Sequence, residues 1–543
     1  MSDFLIKGAK ETNSVIVNLL GEGKHAGFPY DREAGFAFYS RGGGFIPPEN
    51  MMDSILTNPI HYGAGGFEGV RVYYSPYGTV FPELENNIIR LMYSTLAFDD
   101  LIQQTAIEEL GKEDTKEVKI TKVTPRELFE IAGKCEEYRH EPDLPAMQVV
   151  KKNGTVEEKR IRLRMRAMFN NEMRDFSFLE IDAVMKSLAY ANKLVSKDYF
   201  PEGLEMVNSG YFRPAFWVSG EGGLKVPTGG KPMYFAVTTL PWGTYLKAEH
   251  YERGLDVVYG PYPRIGNDMA TDKKVAGNYN NSAFNINLGA GMLGYGEILA
   301  LKNNRVVEGS AENLFVVKDC GNGKYRVFTP PVGDGPLPGT TRDRVLRVLH
   351  KMRNVDIAYY SPDKKTLENA CAVFFTGTGA QIIHIRSITE DKRLEGLAEG
   401  SKLASEDTKE RVVSIKNSDK RTVMINDGKK HPFIDDVQKG YVKMVLEEKL
   451  VRPVYDMDYE ALGRVLGLEL KDFTTENDRE KIEWRKHTGF GDFADEKFKK
   501  DGNGGTQNKI FHAPKREVRK LNRQGAKIVE RAFRKRGLIR AGR

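Results

Sequence analysis

Lys274 stands in Lys273-Lys274-Val-Ala-Gly-Asn-Tyr279, ahead of a small-residue turn and a polar, aromatic segment from Gly277 to Ser282. A lone lysine is ordinarily a solvated surface group. A lysine that forms Schiff bases needs close backbone approach and a partly desolvated pocket that lowers its pKa. Thr340 and Thr341 open a helical pattern after Pro336-Leu-Pro-Gly339. Free N–H groups and two hydroxyls there would cradle a phosphate, or Thr340 would simply cap the helix. Thr376-Gly-Thr-Gly379 follows the strand-like Ala372–Phe375 and makes a second donor-rich turn that glycine permits. Glu308 follows Arg305-Val-Val307 and precedes Gly309. Such a carboxylate caps a turn or pairs with a protonated ring nitrogen. One cofactor needs all these parts. Pyridoxal phosphate takes a lysine for its aldehyde, donors for its phosphate and a carboxylate for its pyridine nitrogen.

The elements that must carry these residues are legible as alternating patterns and turn residues. Glu297–Leu301 and Arg305–Val307 flank Asn303-Asn304, which predicts a tight hairpin. Leu314–Val317 and Tyr325–Phe328 flank Gly321-Asn-Gly323. Thr340, as N-cap, and Asp343, in the first turn, predict a helix running to about Met352. Upstream, Pro125–Cys135 and Ile181–Val195 read as helices, and Met147–Val150 with Arg160–Leu163 as a hairpin around Asn153-Gly154. Strands are expected around Tyr211–Arg213 and Met233–Leu240. A polar stretch at 390–423 reads as a surface insertion. The domain reading is a small N-terminal domain (1–239, with an insertion at 99–180), an interdomain loop (240–249), a large domain (250–452) and an extension (453–543).

The 543 residues are 40% hydrophobic and 29% charged, which excludes a mainly disordered chain. No apolar run approaches a membrane span. Residues 1–14 lack the apolar core of a signal peptide, and the three cysteines, Cys135, Cys320 and Cys371, show neither a disulfide framework nor metal-ligand spacing. The expected compartment is therefore the reducing cytoplasm. The net charge of +7 is uneven: residues 509–543 hold 13 Lys and Arg against 2 Asp and Glu, and the rest of the chain holds 69 against 73. The tail is read as a basic helix with Val518, Leu521, Ile528, Val529, Ala532 and Phe533 along one side. Docking of that side on the body is the favoured reading; binding of RNA or another polyanion is the alternative.

Taken in order, these stretches resemble the class IV pyridoxal-phosphate aminotransferases, and within them the branched-chain amino acid type. His61-Tyr-Gly63 with Phe67-Glu-Gly-Val-Arg71 resembles the family's N-terminal signature, and Arg90-Leu91 its phosphate-binding arginine. Asn87 stands where the family often has histidine. Tyr211-Phe-Arg-Pro214 resembles the substrate-facing strand and Pro241–Leu246 the interdomain loop. The segments at 274–279, 308–315, 337–343 and 376–379 resemble the lysine, ring-nitrogen and two phosphate motifs. The resemblance covers residues 30–98, 181–390 and 424–452.

The resemblance implies a two-domain α/β fold with the active site between the domains, a homodimer, and pyridoxal 5'-phosphate as cofactor. It implies Lys274 as the Schiff-base lysine and proton shuttle, since only Lys274 lies five residues before Tyr279. Tyr279 would bond the ring oxygen and Glu308 the ring nitrogen. Arg90, Thr340, Thr341, Thr378 and Gly379 would bind phosphate. Tyr62, Phe67, Tyr211 and Tyr245 would line the substrate pocket, with Arg213 taking the carboxylate of glutamate. The implied activity is ping-pong transfer of an amino group between branched-chain L-amino acids and 2-oxoglutarate. A D-amino acid transaminase and an aminodeoxychorismate lyase share the cofactor and fold and are the alternatives.

Overall fold

The computed structural model describes residues 36–51, 58–75, 78–138, 141–192, 194, 210–218, 226–229, 231–241, 246, 248–264, 270–403, 412–417, 419–447, 451–483 and 515–539. They fall into two units: the first runs to Gly243 and resumes at Val445, and the second is Thr244–Met444.

The first unit opens with β1 (Ala37–Tyr39), β2 (Gly44–Ile46), β3 (Gly65–Phe67), β4 (Val70–Ser75), β5 (Gly78–Pro82) and α1 (Leu84–Thr95). Next come α2 (Leu101–Leu110), β6 (Thr115–Ile120), α3 (Pro125–Tyr138), β7 (Asp143–Lys151), β8 (Val156–Arg162), β9 (Met165–Phe169) and β10 (Glu172–Phe176). Then α4 (Phe178–Ala191), β11 (Gly210–Val218) and β12 (Met233–Pro241) complete the stretch. The main sheet runs β2-β1-β12-β11-β4-β5, with β3 beside β11. The expected insertion has its own sheet, β6-β7-β8, and a β9–β10 hairpin. Leu128, Phe129 and Ala132 of α3 join the same core as Ile88, Leu91 and Met92 of α1, so the insertion is built into the unit. The helix expected at Ile181–Val195 starts earlier. Ser177 and Glu180 form a reciprocal capping box that satisfies orphan backbone donors at its N-terminus.

The second unit contains β13 (Leu255–Tyr259), β14 (Glu297–Lys302), β15 (Arg305–Glu308), β16 (Asn313–Asp319), β17 (Tyr325–Thr329) and α5 (Thr340–Lys351). It continues with β18 (Val355–Tyr359), β19 (Ala372–Gly377), β20 (Gln381–Asp391), α6 (Lys392–Gly400) and β21 (Lys420–Met424). The strand order is β15-β14-β13-β20-β19-β16-β17-β18, and β15 also pairs with β16. That extra pairing closes six strands, β15 through β16, into a ring. Asn303 and Asn304 both have positive φ at the β14–β15 turn, as the hairpin requires. The polar stretch at 390–423 is partly regular: β20 runs on to Asp391, α6 follows, and β21 pairs back on β20.

The chain after Val445 returns to the first unit instead of forming a separate extension. A strand, Val451–Pro453, pairs with β5. α7 (Tyr459–Leu466) is capped by Asp458, whose side chain accepts from the Ala461 N–H. α8 (Lys515–Lys535) buries Ile528, Val529, Ala532 and Phe533 in the first unit's core. The Phe533 ring lies 4.7 Å from Phe45 and 5.4 Å from Phe36. Arg531 pairs with Asp478 and donates to the Phe473 carbonyl. Arg519, Lys520, Arg523, Lys527, Lys535 and Arg536 face solvent. The helix is thus docked by its apolar side.

Candidate active site

In the second unit, Lys274 precedes a short 3-10 turn, Ala276–Tyr279. That turn brings residue 279 back over residue 274, and Lys274 Nζ donates to Tyr279 Oη at 2.6 Å. Asn278 fixes the loop from inside. Its side-chain amide donates to the carbonyls of Ala270 at 2.9 Å and Lys273 at 3.2 Å.

Glu308 ends β15 and is 4% exposed. Its Oε1 lies 2.6 Å from Arg264 Nε, and its Oε2 accepts from the Leu337 N–H at 3.1 Å and from Asn313 Nδ2 at 3.4 Å. Burial pushes the Glu308 carboxyl up; the charges of Arg264 and Lys274 and the Leu337 N–H pull it back. Arg264 also donates to the Asn278 carbonyl at 2.8 Å. One buried guanidinium therefore ties the lysine loop to the carboxylate.

Glu308 pairs with Asn313 across β15–β16, and Asn313 pairs with Thr376 across β16–β19. Asn313 Nδ2 also donates to the Leu337 carbonyl at 2.9 Å. A Cβ on Gly339 would fall 2.1 Å from Asn313 Oδ1, so only glycine lets Pro336–Gly339 pack this closely. These strand registers and contacts bring Glu308, the Leu337–Thr341 turn and the Thr376–Gly379 turn together.

The sequence reading made Thr340 the N-cap of α5; the N-cap is Gly339, and Thr340 is the first helical residue with no capping hydrogen bond. The extended backbone at Gly339 shifts the helix start by one position. This leaves the Thr340 and Thr341 hydroxyls buried, with no hydrogen-bond partner among the described residues. The Thr376 hydroxyl is in the same condition. Three orphaned buried hydroxyls around the first turn of a helix are costly unless an acceptor occupies the space, and the helix end favours an anion. The donor set fits the phosphate of pyridoxal phosphate, with Lys274 and Glu308 supplying the amine and carboxylate. Thr378 and Gly379 lie half-buried in the adjoining turn.

The other expected residues that the structure describes lie in the first unit. Phe67 on β3 and Tyr211 and Arg213 on β11 form one cluster. The Arg213 guanidinium sits 4.7 Å from the Phe67 ring centroid and 5.2 Å from that of Tyr211, and it donates to Tyr211 Oη at 3.2 Å. Tyr62 ends the helical turn Asn58–Tyr62 and is exposed. Tyr245 lies outside the described residues. Arg90, on α1, is buried in a two-pronged pair with Glu68, at 2.6 and 2.7 Å. Asn87 donates to the same carboxylate at 3.1 Å, which gives the residue at the departed position a structural role.

Three contributors escaped the sequence reading: Arg264, Asn313 and Thr376. Asn313 and Thr376 lie inside motifs already singled out, so their signal was position. Arg264 sits in Pro261-Tyr-Pro-Arg264 with no local pattern, and only the fold shows its partner.

Residues 159–388 match the family model of the class IV amino-transferases. Lys274, Tyr279, Glu308, Thr340, Thr341 and Thr378 all fall inside that match; Tyr62, Phe67 and Arg90 precede it. The branched-chain-amino-acid aminotransferase of Escherichia coli K12 is 36% identical over 185 residues, 34% of this chain and 57% of the relative. The chain thus spans a little over half the length of that relative. An Aquifex aeolicus protein named "Probable branched-chain-amino-acid aminotransferase" is 25% identical over 361 residues, 66% of this chain and 85% of the relative. The crystal structure of the Escherichia coli branched-chain amino acid aminotransferase has a TM-score of 0.48 and 21% identity, covering 78% of this chain and 100% of that one.

Proposed function

We propose that this chain, a class IV aminotransferase over residues 159–388, is a branched-chain L-amino acid transaminase. It moves an amino group between leucine, isoleucine or valine and 2-oxoglutarate. The observation that carries the reading is the link through Arg264, which pairs with Glu308 and holds the backbone of the Lys274–Tyr279 loop.

Pyridoxal phosphate, when bound, supplies an electrophilic carbonyl and a ring that withdraws electrons from the substrate Cα. The chain's residues would do the rest. Thr340, Thr341, Thr378 and Gly379 offer hydroxyls and N–H groups to the phosphate, and the resemblance adds Arg90. Glu308, whose carboxylate form Arg264 favours, holds a proton at the ring nitrogen. Tyr279 donates to the ring oxygen. Lys274, as a free amine, removes the proton from the substrate Cα and returns one on the other side of the transfer. Phe67 and Tyr211 offer aromatic surface to a branched aliphatic side chain, with Tyr62 and Tyr245 as further lining. Arg213 pairs with the side-chain carboxylate of glutamate, so one pocket serves both partners of the ping-pong cycle.

The reading includes a homodimer. Among the described residues no helix is long and apolar enough to cross a membrane, and Cys320 and Cys371 are free thiols, which accords with a cytosolic enzyme.

The test is an absorbance titration of the full chain loaded with pyridoxal phosphate. L-leucine and L-glutamate should each bleach the bound cofactor's visible band, and 2-oxoglutarate should restore it. A response to D-alanine alone would sink the L-specific reading, and a band that no amino acid alters would point to the lyase.

A further inference from the structure

Behind Glu308 lie two more buried carboxyl groups that the proposed chemistry does not use. Glu297 opens β14 and Glu312 ends the turn between β15 and β16; they are 7% and 6% exposed. Their side chains are in hydrogen-bonding contact with each other. Two carboxyl groups in such contact away from water need a proton between them, because both cannot ionise at that separation.

Apart from one bond within β14, their remaining bonds go to the turn that carries Glu308. Glu297 Oε2 accepts from Ser310 Oγ at 2.9 Å, and its Oε1 accepts from the Ile298 N–H at 2.7 Å and the Ser310 N–H at 3.3 Å. Glu312 Oε2 accepts from the Ala311 N–H at 3.0 Å, and the Glu312 carbonyl accepts from the Gly309 N–H at 2.7 Å. The Glu312 side chain also lies close to Gly309 of its own turn and to Gly377 of the Thr376–Gly379 turn. A Cβ on Gly309 would be 3.2 Å from its Oε2, and one on Gly377 would be 3.3 Å from its Cγ.

We propose that Glu312, holding a proton, and Glu297, ionised, act as a pair of positioning residues that fix the Glu308–Asn313 turn from behind. Glu297 is the ionised member because it accepts three donors besides its partner. The strongest charges acting on Glu312 are the carboxylates of Glu297 and Glu308, and with its burial they hold its carboxyl well above the ordinary range. The shared proton limits the negative charge beside Glu308 to a single carboxylate. Glu308 thus remains the group whose ionisation Arg264 controls. This inference rests on the transaminase reading for its purpose, but its physical content is independent of any bound cofactor.

The experiment uses the full chain without added cofactor. Infrared spectroscopy at neutral pH should show the carbonyl stretch of a protonated carboxylic acid, and Glu312→Gln should remove it. Pro336-Leu337-Pro338 has a single exchangeable amide, that of Leu337, which donates to Glu308. Hydrogen exchange there reads the turn directly. Glu312→Gln, which keeps a neutral donor, should leave the Leu337 rate within about twofold of wild type, whereas Glu312→Leu should raise it about tenfold. Glu297→Gln has the native shape but turns an acceptor into a donor facing Ser310, and it should raise the rate at least about threefold, which keeps the test open if Glu312→Leu does not fold. Absence of the protonated-acid band in wild type, or its survival in Glu312→Gln, would overturn the shared proton. Wild-type exchange at Leu337 in Glu297→Gln would overturn the positioning role. Failure of the wild-type chain to bind pyridoxal phosphate would instead count against the transaminase reading and leave these results intact.

Discussion

Replacing Arg264 with methionine should destabilise the second unit in a pH-dependent way. Arg264 and Glu308 are 6% and 4% exposed, with Nε 2.6 Å from Oε1. With the two charges about 4 Å apart and an effective dielectric near 20, their attraction is about 4 kcal/mol. The variant also loses the bond to the Asn278 carbonyl, about 1 kcal/mol. Relief of the buried guanidinium's own desolvation offsets part of this, and breaking a buried pair costs about 3–5 kcal/mol in net terms. Burial raises the folded pKa of Glu308 above its unfolded value even with Arg264 beside it. Its contribution is complete below the unfolded value of about 4.3 and declines as pH climbs toward the folded value. Without Arg264 the folded value rises further, and the decline extends over a wider window. The deficit relative to wild type should therefore be small near pH about 4.5 and should reach about 3–5 kcal/mol near pH about 7.5. Trp217, Trp242 and Trp484 all lie outside Thr244–Met444 in the chain. Urea unfolding followed by circular dichroism, set against tryptophan fluorescence, separates the two units. A deficit below about 1 kcal/mol at the higher pH, or one equal at both, would refute the argument.

Lys274→Ala should abolish transamination while leaving the urea midpoint within about 1 kcal/mol of wild type, because the ammonium bonded to Tyr279 is only half-buried. Transamination at the wild-type rate in steady-state assays would end the proposed mechanism. Arg213→Met should lower kcat/KM for glutamate about 10- to 100-fold, as loss of a charged hydrogen bond worth about 1.5–3 kcal/mol requires, and leave leucine within about threefold. Equal losses for both substrates would remove Arg213 from side-chain recognition. Phe533→Ala should destabilise the first unit by about 3–5 kcal/mol, read by Trp217 fluorescence in urea, since the ring is fully buried against Phe36 and Phe45.

The chemistry was legible in the sequence wherever one short segment carries it. Lys274 and Tyr279 are five residues apart, and a single 3-10 turn closes that spacing into a 2.6 Å bond. Glu308 and Asn313 share a hairpin, so the strand register places them opposite one another. What the sequence concealed depends on partners far apart in the chain. Arg264 meets Glu308 across 44 positions, and Glu297 meets Glu312 across a hairpin whose apolar alternation gives no reason to bury two acids. The helix start at Gly339 was missed by one residue for a local reason. Threonine is a good cap in general, but here the Thr340 hydroxyl is turned inward and left without a partner. A cap preference is worth about 1 kcal/mol, and the packing of Pro336–Gly339 against Asn313 overrides it.

The tail shows the same contrast between composition and placement. Its basic charge invites a nucleic-acid reading, yet that charge lies on the face left over after Ile528, Val529, Ala532 and Phe533 are buried. Those four side chains, at roughly 1.5–3 kcal/mol each for the large ones, supply enough apolar burial to hold a helix against the unit without any electrostatic help. Arg531 and Arg534, which a count of charge alone assigns to a polyanion site, are engaged with Asp478 and Glu530. The helix packs against α4, where Tyr190 donates to Asn522, and against the turn Leu470–Phe473, which the sequence reading had set apart as extension. The sequence reading ended the large domain at 452, whereas in the folded chain the second unit ends at Met444 and the segment beyond it joins the first unit through its apolar residues, because they decide which surfaces must meet.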